Sequence, residues 1–143
     1  MWRVISFQDL RKKENSPFYN SVIAQISTSL ALFFGKSPKD LIHQFIKILL
    51  AKGSEKIYEN YNQKIVETFD LLKKGFTSLF ESIYCNSEGI LYHVLIETSF
   101  FIEKSDYSGV SFGYVKKFEK IDSEQQISNI INSPKFFVIN PIN

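Results

Sequence analysis

The hydrophobic period of the sequence changes after Tyr84, and this change constrains the fold more than any other feature. Upstream of Tyr84, apolar residues recur every three or four positions, which is the spacing of one face of an α-helix. In segment 90–103, apolar residues instead occupy alternate positions, as in a strand with one buried face. Helical spacing followed by strand spacing predicts an α+β fold, in which helices pack on one face of an antiparallel sheet.

Two helices are predicted before residue 54. The first begins at Ser16-Pro17, where proline suits the first helical position, and it ends at Gly35. The second begins at Ser37, whose side chain can cap the backbone N–H of Asp40, and it ends at Gly53.

The third predicted helix is long. Segment 54–84 keeps one apolar stripe and contains no proline, so a continuous helix would have 31 residues and a length of about 45 Å. A domain of this size should be only about 26 Å wide. Gly75 is the one weak point, at which the helix could kink or break. A helix that overhangs its own domain favours packing against a second molecule.

The C-terminal part predicts a β-β-α-β unit. Strands 90–103 and 110–118 should pair as an antiparallel hairpin. A helix that opens with a capping box at 123–126 and a last strand at 135–140 follow. A short strand is also predicted at 2–7. The chain, 1–143, is predicted to be a single domain with a helical part at about 16–84 and the β-β-α-β part at about 89–140.

Composition excludes several classes of protein. Hydrophobic residues make up 44% and charged residues 22%, as in ordinary folded domains. A single cysteine, Cys85, excludes an internal disulfide and favours a reducing compartment. No run of 18 apolar residues occurs, so we expect no membrane span and a cytoplasmic protein. The net charge of +2 is too small for a generic nucleic-acid binder.

The side chains suited to chemistry do not form a recognisable catalytic or metal-binding motif. His93 and Glu97 are four residues apart, but on a strand they would lie about 13 Å from one another. His43 has only Asp40 at helical spacing, and a local hydrogen bond is the favoured interpretation. Cys85 and His93 lack a neighbouring glycine-rich loop. We therefore predict no catalytic residue, no metal, no cofactor and no enzyme activity.

The strand 110–118 partly matches a signature of RNA recognition. Phe112, Gly113, Tyr114 and Val115 fit that pattern, whereas Phe118 comes one residue late. An aromatic strand that faces the core is the favoured interpretation. The alternative is binding of RNA or another single-stranded nucleic acid through Phe112, Tyr114, Lys116 and Lys117.

The leading hypothesis from the sequence is a non-catalytic accessory or regulatory subunit. It would form a homodimer, or dock on another protein, through the stripe of the long helix. The predicted interface residues are Ile57, Tyr61, Ile65, Phe69, Leu72 and Phe76.

A second hypothesis is an intracellular binding domain for an apolar small molecule, acting as a carrier or a sensor. The chain contains 14 Phe and 7 Tyr, whose rings could line a cavity between the helices and the sheet. The same rings could instead fill that space as ordinary core.

Overall fold

The computed structural model describes residues 3–9, 22–102 and 108–140, and the side chains of 22–101 and 110–140. It confirms the predicted α+β class. Helices pack against one antiparallel sheet of six strands in the order β2-β1-β5-β4-β3-β6. The strands are β1 Arg3–Asp9, β2 Val22–Ile26, β3 Thr77–Cys85, β4 Leu91–Ile102, β5 Ser108–Lys120 and β6 Phe136–Ile139.

Five α-helices accompany this sheet in the described part of the chain. Four lie between β2 and β3, and the fifth lies between β5 and β6. Among the described helices, none is long and apolar enough to cross a bilayer. The helices are α1 Thr28–Phe33, α2 Pro38–Leu41, α3 Glu55–Glu67, α4 Phe69–Lys73 and α5 Glu124–Asn132, with a 3₁₀ turn at Ile46–Leu49.

The predicted C-terminal β-β-α-β unit is present as β4, β5, α5 and β6. The Ser123 hydroxyl caps α5 by accepting a hydrogen bond from the Gln126 N–H. The predicted N-terminal strand corresponds to β1, which pairs with both β2 and β5. The local signals at these positions and the tertiary pairing therefore favour the same conformation.

The first predicted helix is wrong over 22–26. Val22, Ile23 and Ile26 fit a helical stripe, but the segment forms β2 and pairs with β1. β-branched side chains suit a strand, and the partner strand supplies hydrogen bonds that a helix would make internally. The predicted start at Ser16-Pro17 lies outside the described residues.

The second predicted helix is also interrupted. The Asp40 carboxylate accepts from the Ser37 N–H at 3.0 Å and from the Ser37 hydroxyl at 2.8 Å, but α2 ends after one turn at Leu41. His43 has a φ of 73°, and its N–H donates to the Ile23 carbonyl. The segment after α2 therefore hydrogen-bonds to β2 instead of continuing as a helix.

The long third helix, 54–84, does not exist. It is divided into α3, α4 and strand β3. Gly75 ends the helical part with a φ of 97°, and the chain then enters the sheet between β4 and β6. Most positions on both faces of β3 are buried, so apolar side chains occur on both faces of the strand. Their spacing therefore fits a helical stripe as well as a strand.

A β-bulge changes which side chains of β5 share a face. The pairing with β4 shifts register between Leu95 and Ile96, so that Lys117 lies opposite Leu95 and Val115 lies opposite Ile96. Phe118 consequently pairs with Val94 and lies on the opposite face from Phe112 and Tyr114. Strict alternation along 110–118 would put all three rings on one face, but the bulge breaks that alternation.

The larger hydrophobic core lies between α1–α4 and the face of the sheet that carries Val94, Ile96 and Phe100. We call this the inner face, and the opposite side, which carries Glu81, His93 and Glu97, the outer face. A smaller cluster joins α3, β3 and α5; it consists of Ala51, Ile57, Ile83, Ile121 and Ile130.

Candidate functional site

The inner face of the three central strands is lined by small and polar residues at its middle. The pairing puts Ser78 opposite Thr98 and Thr98 opposite Gly113, so these positions form one row across β3, β4 and β5. On the same face, Ser111 lies two residues from Gly113 along β5, and Ser82 lies four residues from Ser78 along β3. All of these residues are buried, so a row of hydroxyl groups lies beneath the helices.

Tyr61 of α3 lies over this row. Its ring stacks on Phe80 with 3.9 Å between centroids, and its hydroxyl interacts with Ser78 and Thr98. Burial raises the pKa of the Tyr61 phenol well above its ordinary value, against the smaller opposing effect of those two hydroxyls. Burial and the proximity of Tyr61 also raise the pKa of Tyr84. Both phenols therefore stay neutral near pH 7.

Asn62, the next residue of α3, has a buried amide that lacks a partner within the described part of the chain. The residue is only 2% exposed, and among the described residues neither Nδ2 nor Oδ1 has a hydrogen-bond partner. Buried polar groups in native proteins are nearly always paired, because an unpaired one costs about 1–3 kcal/mol. An amide retained at such a cost points to a ligand or water that completes its hydrogen bonds.

The buried region carries little charge. Among the described residues, the buried polar and charged side chains include one carboxylate, Glu81, and no lysine or arginine. Glu81 belongs to the outer face. The buried residues of the inner face and of α3 therefore offer apolar contacts, hydroxyls and one unpaired amide, which suit an uncharged molecule better than a phosphate or a carboxylate.

The predicted interface stripe is part of the core. Ile57, Tyr61, Ile65 and Leu72 are at most 6% exposed, and Phe69 and Phe76 are half-buried. Side chains buried within their own chain are not available to a partner.

The residues predicted for nucleic-acid binding lie away from the core. Phe112 and Tyr114 are half-buried on the outer face, where Phe112 makes an edge contact with Phe101. The core-facing interpretation of these two rings is therefore wrong. Lys116 pairs with Glu97 at 3.0 Å and Lys117 with Glu119 at 3.4 Å. These carboxylates offset the positive charge that a nucleic acid would need.

His93 has a partner that sequence spacing did not show. His93 and Glu97 lie on the same strand, and His93 instead bonds Glu81 of β3, with 2.7 Å between Nε2 and Oε2. His43 is exposed. Cys85 is half-buried, and its Sγ lies 3.5 Å from the Asn86 carbonyl oxygen. Within the described residues, no three metal-ligating side chains come together.

Sequence reasoning missed Asn62 and Glu81. Asn62 was hidden inside an otherwise apolar stripe, and a polar residue between Tyr61 and Ile65 was the available signal. Glu81 falls in segment 54–84, which the spacing predicts to be one helix, so the sequence does not show that it lies on a strand. Only the strand pairing of β3 shows its role.

Comparison with known proteins identifies the fold. No protein-family model matches the chain, and neither does any curated protein. The structure is similar to the PAS domain of a protein from Colwellia psychrerythraea, with a TM-score of 0.51 and 11% identity over 79% of this chain and 85% of that chain. It is also similar to a light-oxygen-voltage domain described in work on a flavin analogue, with a TM-score of 0.53 and 11% identity over 91% and 85%.

This likeness corrects the leading hypothesis from the sequence. The fold is similar to that of PAS and light-oxygen-voltage domains, and its helices cover the sheet instead of extending from it. The prediction of an accessory subunit that dimerises or docks through a long helix is therefore wrong. The helix is absent, and the stripe assigned to the interface holds the core together.

Proposed function

We propose that this chain is a binding domain for a small, uncharged, largely apolar or aromatic molecule, and that it acts as a sensor without catalysis. The ligand lies between α3 and the inner face of the sheet. The observation that carries the proposal is the Asn62 amide, which is buried and without a partner among the described residues.

The surrounding side chains support this class of ligand. Tyr61, Phe80 and Phe100 supply aromatic surface, and Ser78 and Thr98 supply hydroxyls. Pockets for small molecules combine such an apolar lining with a few polar groups that set orientation. A planar ring system with an amide-like edge would complete both the donor and the acceptor of Asn62.

The similar light-oxygen-voltage domain comes from work on a flavin analogue. A flavin ring has an amide-like edge that suits Asn62. The phosphate of flavin mononucleotide is less well matched, because no lysine or arginine is buried among the described residues. The proposal therefore favours riboflavin or lumichrome over flavin mononucleotide as probes.

The test compares Asn62→Leu with Asn60→Leu, a control in the same helix whose residue is half-buried. Without ligand, Asn62→Leu should raise the free energy of unfolding by about 1–3 kcal/mol, because it removes an unpaired polar group. With riboflavin or lumichrome, the wild type and Asn60→Leu should gain thermal stability with probe concentration. Asn62→Leu should lose that gain.

Two outcomes would contradict the proposal. If Asn62→Leu lowers the free energy of unfolding of the ligand-free protein, as the loss of a buried hydrogen bond does, then the amide already has a partner. If a probe binds equally well to wild type and Asn62→Leu, the site lies elsewhere. Urea denaturation and thermal melts with and without probe distinguish these results.

A further inference from the structure

A cavity lies on the outer face, away from the core. It has a volume of about 490 Å³, which is within the range of small-molecule sites. Glu81 of β3 and His93 of β4 form its floor, and α5 with the residues that follow it forms a wall. The sheet itself separates this outer pocket from the site proposed above.

The floor of the outer pocket is a fixed pair. Glu81 Oε1 accepts a hydrogen bond from the Lys135 N–H at 2.8 Å, and Oε2 lies 2.7 Å from His93 Nε2. An ionised carboxylate can only accept, so Nε2 carries the proton. In the neutral imidazole, Nδ1 then holds the lone pair and is a hydrogen-bond acceptor. A carboxylate bonded to one ring nitrogen in this way fixes both the tautomer and the orientation of the imidazole.

The wall presents amide groups of opposite character. The Asn129 Oδ1 accepts from Gln125 Nε2 at 2.9 Å, which leaves the Asn129 NH₂ group as a donor. The Asn132 Nδ2 donates to Ser128 Oγ at 3.1 Å, which leaves the Asn132 carbonyl oxygen as an acceptor. Both asparagines line the pocket. A donor and an acceptor from successive turns of one helix match a ligand edge that has an acceptor beside a donor.

The charges around the pocket largely offset one another. Glu81 carries a negative charge, and Lys135, which also lines the cavity, carries a positive one. Glu119 of β5 lies across from His93, and its carboxylate pairs with Lys117 at 3.4 Å. With neither sign in clear excess, the pocket favours an uncharged ligand over an anion or a cation.

From these groups we propose that the outer pocket binds a small uncharged heterocycle with an amide-like edge, of the pyrimidine-base or lactam type. The heterocycle places its edge against Asn129 and Asn132 and donates an N–H to His93 Nδ1. Glu81 acts as a positioning residue, because it holds the imidazole without touching the ligand. The inference rests on the outer face alone and does not depend on the sensor function proposed above.

The test uses the full chain labelled with ¹⁵N, with uracil as the probe. The protein has only two histidines, so His43, which is exposed, serves as the internal control. The ring ¹⁵N signals of the free protein should show His93 protonated at Nε2. Uracil at millimolar concentration should shift the His93 Nδ1 signal in a saturable way and leave His43 unchanged.

Variants on the exposed wall test the amide contacts without disturbing the floor. Asn129→Ala and Asn132→Ala should each weaken uracil binding roughly tenfold, the usual effect of one lost hydrogen bond to a ligand. Gln63→Ala, at an exposed position of α3, is the matched control and should bind as the wild type does. Asn62→Leu should also leave uracil binding unchanged, because its side chain belongs to the other site.

Five results would overturn the inference. Acetate or phosphate could shift His93 as strongly as uracil, which would make the pocket an anion site. Uracil could fail to shift His93 at millimolar concentration, or it could shift His43 equally. The two wall variants could bind uracil within twofold of the wild type. Asn62→Leu could abolish the uracil response, which would assign that response to the inner site.

Discussion

Glu81 shows how one side chain can join three segments of the chain. Its oxygens hold His93 of β4 and the Lys135 N–H at the start of the last strand, while its own N–H donates to the Lys135 carbonyl. A buried carboxylate is stable only when it is paired in this way. At the scale of a residue, therefore, burial and partners decide whether a charged side chain acts as a solvated group or as a structural one.

The two buried phenols predict a loss of stability at alkaline pH. In the folded chain, burial raises the pKa of Tyr61 and Tyr84, whereas in the unfolded chain both titrate near about pH 10. Above that pH the unfolded state loses protons that the folded state keeps, so the free energy of unfolding falls as pH rises. Below about pH 10 both phenols are protonated in the folded and the unfolded chain, so this loss of stability does not occur. Each phenol should lower the free energy of unfolding by up to about 1.4 kcal/mol per pH unit.

Urea denaturation between pH 8 and pH 11 measures this loss. Tyr61→Phe removes one of the two groups, so its stability should fall less steeply with pH than that of the wild type. Equal slopes for the two proteins would show that Tyr61 ionises as readily in the folded state as in the unfolded one. Tyrosinate absorbance at the same pH values gives an independent count of ionised phenols.

At the scale of an element, Gly75 decides where the helical region stops. Its φ of 97° turns the chain from α4 into β3, a conformation that side-chain-bearing residues rarely adopt. The residues on either side keep helical spacing, so hydrophobic pattern alone would continue the helix. The turn at Gly75 brings Thr77–Cys85 alongside β4, with which this segment pairs. Thr77–Cys85 therefore forms a strand instead of continuing the helix.

Gly75→Ala should destabilise the protein by about 1–2 kcal/mol through backbone strain. A Cβ at this position would meet nothing within 4 Å, so steric clash does not contribute. Lys74→Ala is the matched control, because Lys74 is exposed and has an ordinary φ of −85°. Chemical denaturation of both variants checks the difference. Equal stabilities of the two would show that the turn does not require a glycine.

At the scale of the whole molecule, the stripe from α3 is a core and not an interface. Ile65 is fully buried in the larger cluster, whereas its neighbour Val66 is 56% exposed. Ile65→Asp should therefore cost more than about 4 kcal/mol and unfold a domain of ordinary stability, because it buries an unpaired charge. Val66→Asp should change stability by only about 0.5 kcal/mol.

Circular dichroism melts, with light scattering for the solution mass, measure both variants. If the Ile65→Asp protein is folded but its solution mass differs from that of the wild type, then the stripe forms an interface between molecules and is not core. An unfolded Val66→Asp protein would show that the exposed side of α3 is covered by something outside this chain.

The fold is shared with PAS and light-oxygen-voltage domains at only 11% identity. Many different side chains can fill one core when their volume and patterning are kept, so similar folds arise without recognisable sequence likeness. The positions that distinguish this chain are its few polar groups in unusual surroundings, Asn62 in helix α3 and the Glu81–His93 pair on the outer face of the sheet.

The sequence by itself determined the α+β class, the C-terminal β-β-α-β unit and the caps at Ser37 and Ser123. These features depend on local periodicity and on turn and cap chemistry, which a short segment carries within itself. Only the tertiary structure decided that Val22–Ile26 and Thr77–Cys85 are strands, because both segments also have helical spacing and their choice depends on distant partners. The same holds for both candidate sites, whose residues meet through pairing between strands and packing between layers. Such contacts join residues far apart in the chain, and the spacing of a single sequence does not record them.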